Sequence, residues 1–277
     1  MKVYVSADME GATGVVVRPH VDASSSEYQR MRKLLTGDVN AAIEGACQAG
    51  ATEVVVNDAH GNMINILVEE LDSRARLISG LNKQLLQMEG IDETFACAFL
   101  VAYHSREGAD GGVLNHTLVG RLVDEVRLNG HPVGETAISA AIAGAFGVPV
   151  VLVTGDEAVT REARALLGDI ETVAVKSGID RLSGASLPPC RTRELIREAA
   201  ARAVASRGRI EPYVVAGPVE FQVDFKTSAA VTTATLFPQV KKVSSKTVAI
   251  SAPGYLEAFR MLWGALLLGL AGSEGTL

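Results

Sequence analysis

Short, unbroken apolar runs alternate along this chain with longer stretches of helical periodicity. Lys2–Ala7, Glu53–Asn57 (EVVVN), Ala96–Tyr103 (ACAFLVAY) and Pro149–Val153 (PVVLV) have strand length and are rich in apolar residues, with EVVVN a β-branched run. A strand that is apolar at successive positions has both faces covered, which is the habit of parallel sheets. Between these runs, Tyr28, Met31, Leu35, Val39, Ile43 and Ala46 recur at helical spacing through Glu27–Ala49, and Gly50 is placed to end that helix. Ala-rich Glu135–Phe146 predicts a second helix closed by Gly147, and Ala158–Leu167 predicts a third, followed by a strand at Thr172–Val175. Leu118–Leu128 alternates loosely and runs into Asn129–Gly130, a tight-turn dipeptide. This order predicts an α/β fold with a doubly wound, mostly parallel sheet.

Ser183–Cys190 (SGASLPPC) interrupts both periodicities with small residues and paired prolines. It divides the chain into an expected catalytic α/β domain, 1–182, and a smaller C-terminal α/β subdomain, 183–277. In the latter, Arg193–Ser206 reads as a helix, Val219, Phe221, Val223 and Phe225 alternate as a half-buried strand, and Lys246–Ser251 reads as another. The last helix carries Phe259, Leu262, Trp263, Leu266, Leu267 and Leu270 on one stripe and Met261, Ala265 and Leu268 on the other side. Apolar nearly all round, it is expected to be fully buried or packed on another subunit. The expected subdomain therefore contributes to oligomer contacts.

Composition narrows the function. With 48% hydrophobic residues in 277, the chain can bury a substantial core, and with 5% aromatics that core is largely aliphatic. A formal charge of −6 argues against a nucleic-acid surface. Cys47, Cys97 and Cys190 form no metal-finger spacing and fit a reducing compartment. The N-terminus enters a strand directly, and the apolar stretch Met261–Ala271 is shorter than the roughly 20 residues that span a bilayer. The expectation is a cytoplasmic protein with neither nucleic acid nor membrane as a partner.

Candidate chemistry sits just past the apolar runs. Asp8 and Glu10 follow the first in SADMEGATG, His60 follows the second in NDAHG, and His104 ends the third in AYHS. A parallel sheet gathers the carboxyl ends of its strands along one edge, so these residues can meet. Glu135, at the start of a predicted helix, supplies a further carboxylate. Imidazoles and carboxylates converging in one crevice are the donors of a two-metal hydrolytic centre. The plainer readings are a turn or helix cap for Asp8 and a first-turn glutamate favoured by the helix dipole for Glu135. His116, in LNHT beyond the glycine-rich stretch Gly108–Gly112, is free to act as general acid or base or to stabilise an oxyanion.

Asp58 could be a further ligand, but is read as the carboxylate that orients His60. Asp156 and Lys176 follow later strands, where either could line the crevice and grip a charged substrate end, but the plainer readings of a helix N-cap and a surface lysine are preferred for them. His20 and His131 lie beside prolines and read as turn residues without function. GxGxxG, Walker A and GxSxG motifs are absent, which weakens nucleotide-binding and serine-hydrolase readings.

SADMEGATG, VNDAHG, AYHS, NHT and NGHPVGE, in this order, resemble the DppA-type D-aminopeptidases, a family of zinc peptidases. The resemblance implies that Asp8, Glu10, His60, His104 and Glu135 hold two zinc ions per subunit, with His116 as the catalytic histidine beside them. It also implies a homo-oligomer, commonly a decameric ring enclosing the active sites, and preference for D-amino acids.

The expected reaction is hydrolysis of short peptides at the N-terminal residue, by attack of a hydroxide shared between two zinc ions on the scissile carbonyl. Two rivals use the same donors: a di-metal amidohydrolase or phosphoesterase, and a metal-stabilised binding protein without activity. Few Lys and Arg lie near the motifs, which speaks against a phosphate substrate.

Overall fold

A computed structural model of the chain describes residues 1–273. A seven-stranded sheet is built from β1 (Lys2–Ala7), β2 (Glu53–Asp58), β3 (Ala75–Ile78), β4 (Cys97–Tyr103), β7 (Val150–Asp156), β8 (Glu171–Asp180) and β9 (Ser183–Ser186). Its order is β3-β2-β1-β4-β7-β8-β9, parallel throughout except for the β8–β9 hairpin. A second, five-stranded antiparallel sheet has the order β11-β12-β10-β5-β6. It comprises β5 (Val123–Leu128), β6 (His131–Pro132), β10 (Val219–Phe225), β11 (Val240–Lys242) and β12 (Thr247–Ala252).

The uniform apolar runs are explained by burial on both faces. Val3, Val5, Val54, Val56, Cys97, Phe99 and Val101 point into a core shared with α1 (Tyr28–Gln48) and α4 (Pro189–Ser206). Their neighbours Tyr4, Val55, Ala98 and Leu100 point the other way. That second core is shared with α2 (Glu135–Ala145), α3 (Glu157–Leu167) and the five-stranded sheet. Helices on both faces make the fold doubly wound, as expected.

Each of the two sheets draws strands from both sides of Ser183. β9 and α4 from the second segment complete the parallel layer, while β5 and β6 from the first lie in the antiparallel one. The paired prolines of the expected boundary start α4, with Pro189 in its first turn, where a missing N–H costs nothing. Asn129 and Gly130 both have positive φ, 49° and 83°, and turn β5 into β6.

The final helix, α6 (Tyr255–Ser273), is long and apolar enough to cross a membrane by length and composition alone. It nevertheless buries Tyr255, Ala258, Phe259, Leu262, Ala265 and Leu266 against the antiparallel sheet and α5 (Ser228–Ala234). Leu267, from the expected stripe, is instead 48% exposed.

Candidate metal centre

β2, β1 and β4 are adjacent, with Ala7 level with Asp58 on one side and Val101 on the other. Asp8, His60 and His104 therefore leave neighbouring strand ends at one height. This is also where the strand order reverses, since the chain winds from β1 through β2 to β3 in one direction and through β4, β7 and β8 in the other. Such a switch point leaves a crevice that loops cannot fill. Glu135 enters from the first turn of α2, and His116 from the loop between β4 and β5. All six expected residues meet here.

Their donor atoms are close enough together to hold a cation. His60 Nδ1 lies 2.8 Å from Glu10 Oε2 and 3.5 Å from Asp8 Oδ1. His104 Nε2 lies 3.3 Å from Asp8 Oδ2 and 3.4 Å from Glu135 Oε1. A tetrahedral ion with bonds of about 2.0–2.1 Å holds its donors roughly 3.3 Å apart, a spacing close to the 3.3, 3.4 and 3.5 Å separations here, while the 2.8 Å pair is at hydrogen-bond distance. His116 Nε2 stands further off, 3.9 Å from Glu10 Oε1 and 3.8 Å from Glu135 Oε1. Donor atoms of Asp8, Glu10 and His104 fall within 4.8 Å of one another, as do those of His104, His116 and Glu135.

Each imidazole has one nitrogen committed to the backbone. His60 Nε2 meets the Val21 carbonyl at 3.1 Å, His104 Nδ1 that of Ser105 at 2.9 Å, and His116 Nδ1 that of Leu114 at 2.8 Å. A carbonyl only accepts, so each of these nitrogens carries the proton. In the neutral ring the other nitrogen then offers a lone pair, and in all three it faces the carboxylates. Asp8 Oδ2, Glu10 Oε2 and His104 Nε2 are buried without a hydrogen bond. Buried lone pairs facing buried carboxylates need a cation between them, and N/O donors of this kind suit zinc.

Electrostatics describe the same centre with protons in place of metal. Burial and the neighbouring Glu10 push the Asp8 carboxyl up to about 7. Glu10 lies well below the usual carboxylate range, because the His60, His116 and His104 imidazoles outweigh the upward push of burial. Glu135 is lowered to about 2, burial again being outweighed, chiefly by His104. His60 and His104 are raised despite burial, by Glu10 and by Glu135 respectively. His116 alone among the three is lowered, by burial and by the adjacent His104.

The surroundings correct two expectations, for Asp58 and Lys176, and bear out a third, for Asp156. Asp58 does not touch the His60 ring; its carboxylate accepts from the Asn65 and Ile66 amides and from Asn65 Nδ2, which also donates to the His60 carbonyl. It shapes the loop, and Val21 sets the ring. Asp156 caps α3 through the Val159 amide, as the plainer reading had it, and also accepts from the Val113 amide. Lys176 is no surface lysine: it is 2% exposed and donates to the carbonyls of Glu10, Ala12 and Val15. Burial lowers its ammonium to about 8.

Two contributors carry no signal in the sequence. Gln87, in a single 3₁₀ turn, donates its side-chain amide to Glu135 Oε2, while the Leu118 amide donates to Glu135 Oε1 at 2.6 Å. Lys83 is buried and donates to Asn57 Oδ1 and the Asp58 carbonyl, holding the end of β2. The expected glycine-rich loop lines a cavity of about 410 Å³ together with Asn115, Ile179, Asp180 and Arg181.

The whole chain has known counterparts. A D-aminopeptidase of Bacillus subtilis (strain 168) is 35% identical over 263 residues, 95% of either chain. The solved structure of the Zn-dependent D-aminopeptidase DppA from Bacillus subtilis, described as a self-compartmentalizing protease, superposes with a TM-score of 0.94. It is 34% identical and covers 98% of both chains. The family model of Peptidase M55, D-aminopeptidase, matches residues 1–264, and the chain belongs to this D-aminopeptidase family.

Proposed function

We propose that this chain is a zinc-dependent aminopeptidase that hydrolyses short peptides, preferentially those with an N-terminal D-residue. The observation that carries the reading is the set of three inward-facing imidazole lone pairs set against three buried carboxylates. Asp8, Glu10, His60, His104 and Glu135 would hold two zinc ions. Zinc bound there supplies Lewis acidity toward the scissile carbonyl and lowers the pKa of water to about 7.

The chain's own contribution to the reaction centres on His116. Its Nδ1–H is fixed on Leu114, so Nε2 is the atom that takes a proton from the attacking water. As the tetrahedral carbon collapses and the C–N bond breaks, the same nitrogen returns that proton to the leaving amine. The lowered pKa keeps the ring neutral, and therefore basic, before attack. The crevice buries Asp8, Glu10 and Glu135, whose negative charge would offset most of the charge of the bound zinc ions.

A homo-oligomer, decameric by the family's habit, is part of the proposal. Its support is the self-compartmentalizing relative and the apolar side chains exposed on the β8–β9 hairpin, Ile179 at 76% and Leu182 at 53%. A cytoplasmic setting is supported by three cysteines that are all unpaired. The rival amidohydrolase, phosphoesterase and inert-binder readings find no counterpart in the D-aminopeptidase relatives.

The test pairs metal analysis of the purified protein with amino-acid release from L- and D-dipeptides. The expected result is near two zinc per chain and D-dipeptide cleavage abolished by a chelator. Cleavage of L-peptides alone removes the stereochemical claim, and absence of both metal and activity removes the whole reading.

A further inference from the structure

We infer that Lys176 is a positioning residue for the metal centre, clamping from inside the protein the loop that carries Asp8 and Glu10. The inference rests on the zinc reading above. Beyond Ala7 the chain leaves the β ladder, so residues 8–15 must satisfy their carbonyl groups elsewhere. Lys176 comes from β8, three strands away from β1, and places its Nζ 2.5 Å from the Glu10 carbonyl, 2.9 Å from that of Ala12 and 2.5 Å from that of Val15. An ammonium has three protons, and all three are used on this one loop.

The opposite side of the loop is held as well. Asp38 of α1 accepts from the Thr13 amide and hydroxyl at 2.8 and 3.0 Å, and the Gly11 amide donates to the Ala102 carbonyl. Two ligands leave this loop two residues apart, so a small rotation of its backbone moves both carboxylates together. Lys176 also faces Asp156, Asp38, Glu10 and Asp8, a surplus of negative charge that a buried cation offsets before any metal arrives. The packing of β8 alone asks for an apolar side chain here, as at the neighbouring Val175. The lysine answers a demand of the loop.

Replacing Lys176 with Met keeps length and volume but removes the three donors. The experiment strips the full-length protein with a chelator, titrates zinc in competition with a chromophoric chelator, and follows folding by circular dichroism. Lys176→Met is expected to stay folded and bind zinc about 10–100-fold more weakly. Phe259→Leu, in the core face of α6, is expected to lower the melting temperature without changing zinc affinity, which separates loss of stability from loss of positioning. A folded Lys176→Met with wild-type affinity overturns the inference alone. Wild-type protein that takes up no zinc overturns the zinc reading and the inference with it. Should Lys176→Met not fold, hydrogen exchange of residues 8–17 in wild-type protein decides. Protection retained after zinc is stripped supports the clamp, and protection lost to the rate of free peptide overturns it.

Discussion

The imidazoles of His104 and His116 stack face to face, with ring centroids 4.0 Å apart and planes 9° from parallel. Their free nitrogens address the same atom, Glu135 Oε1, from 3.4 and 3.8 Å. What separates the two rings is depth: the His104 side chain is 1% exposed and that of His116 is 16% exposed. A sealed imidazole suits a permanent ligand, whereas one open to the crevice can exchange protons with substrate and water.

His116→Ala is therefore expected to lower kcat by about 10²–10⁴, the range for a positioned acid–base group, with zinc content unchanged. Steady-state kinetics alongside metal analysis distinguishes the two roles. A variant that loses zinc makes His116 a ligand instead.

Gln87 should prove necessary for metal retention although nothing marks it in the sequence. Gln87→Leu leaves Glu135 Oε2 without its side-chain donor inside a buried site. Zinc affinity is expected to fall about 10-fold or more in a chelator competition. Gln87→Glu, which sets a second carboxylate against the first, is expected to fall further.

Gly11 is required for want of space. A Cβ built there would lie 1.9 Å from the Tyr103 carbonyl oxygen, at the end of the strand that delivers His104. Gly11→Ala is expected to cost about 2–3 kcal/mol as the backbones part. It should also weaken zinc binding, because the displaced segments carry Glu10 and His104. Thermal melts and zinc titration of the same sample read both effects.

Stability should depend on pH through Asp38. Burial raises its carboxyl to about 6 from an ordinary 3.8, against the lowering effect of its bonds from Thr13. Between these values the folded state binds a proton that the unfolded state has released, so the slope of stability with pH is negative. The contribution is fully present below about pH 4 and is lost as pH rises through 6, of order 3 kcal/mol for two pKa units. Asp38→Asn is expected to flatten that fall in denaturant melts of the zinc-free protein. An unchanged slope between pH 4 and 6 would refute the assignment.

Much of the fold could be read from the sequence because its signals are local. β1, β2, β4 and β7 appear as apolar runs, α1 as a repeat at helical spacing, and the Asn129–Gly130 turn as a dipeptide. β3 and β9 were missed, since the first has a half-buried pattern and the second, SGAS, reads as a linker. α5 is only seven residues long, too short for a periodicity to declare itself.

The sequence by itself determined which residues could ligate a metal, because strand ends are local features and a parallel sheet leaves its carboxyl ends on one edge. It could not determine what holds those residues. Glu135 and Gln87 are 48 positions apart, Glu10 and Lys176 166 positions apart. No periodicity spans such distances, and a buried lysine looks in sequence like any surface one. Only tertiary packing decided that Lys176 points inward, that Val21 rather than Asp58 orients His60, and that His116 sits nearer the crevice mouth than His104. The physical reason is common to all three: a hydrogen bond is chosen by which donor and acceptor become neighbours when water is excluded, and the assembled layers set that neighbourhood.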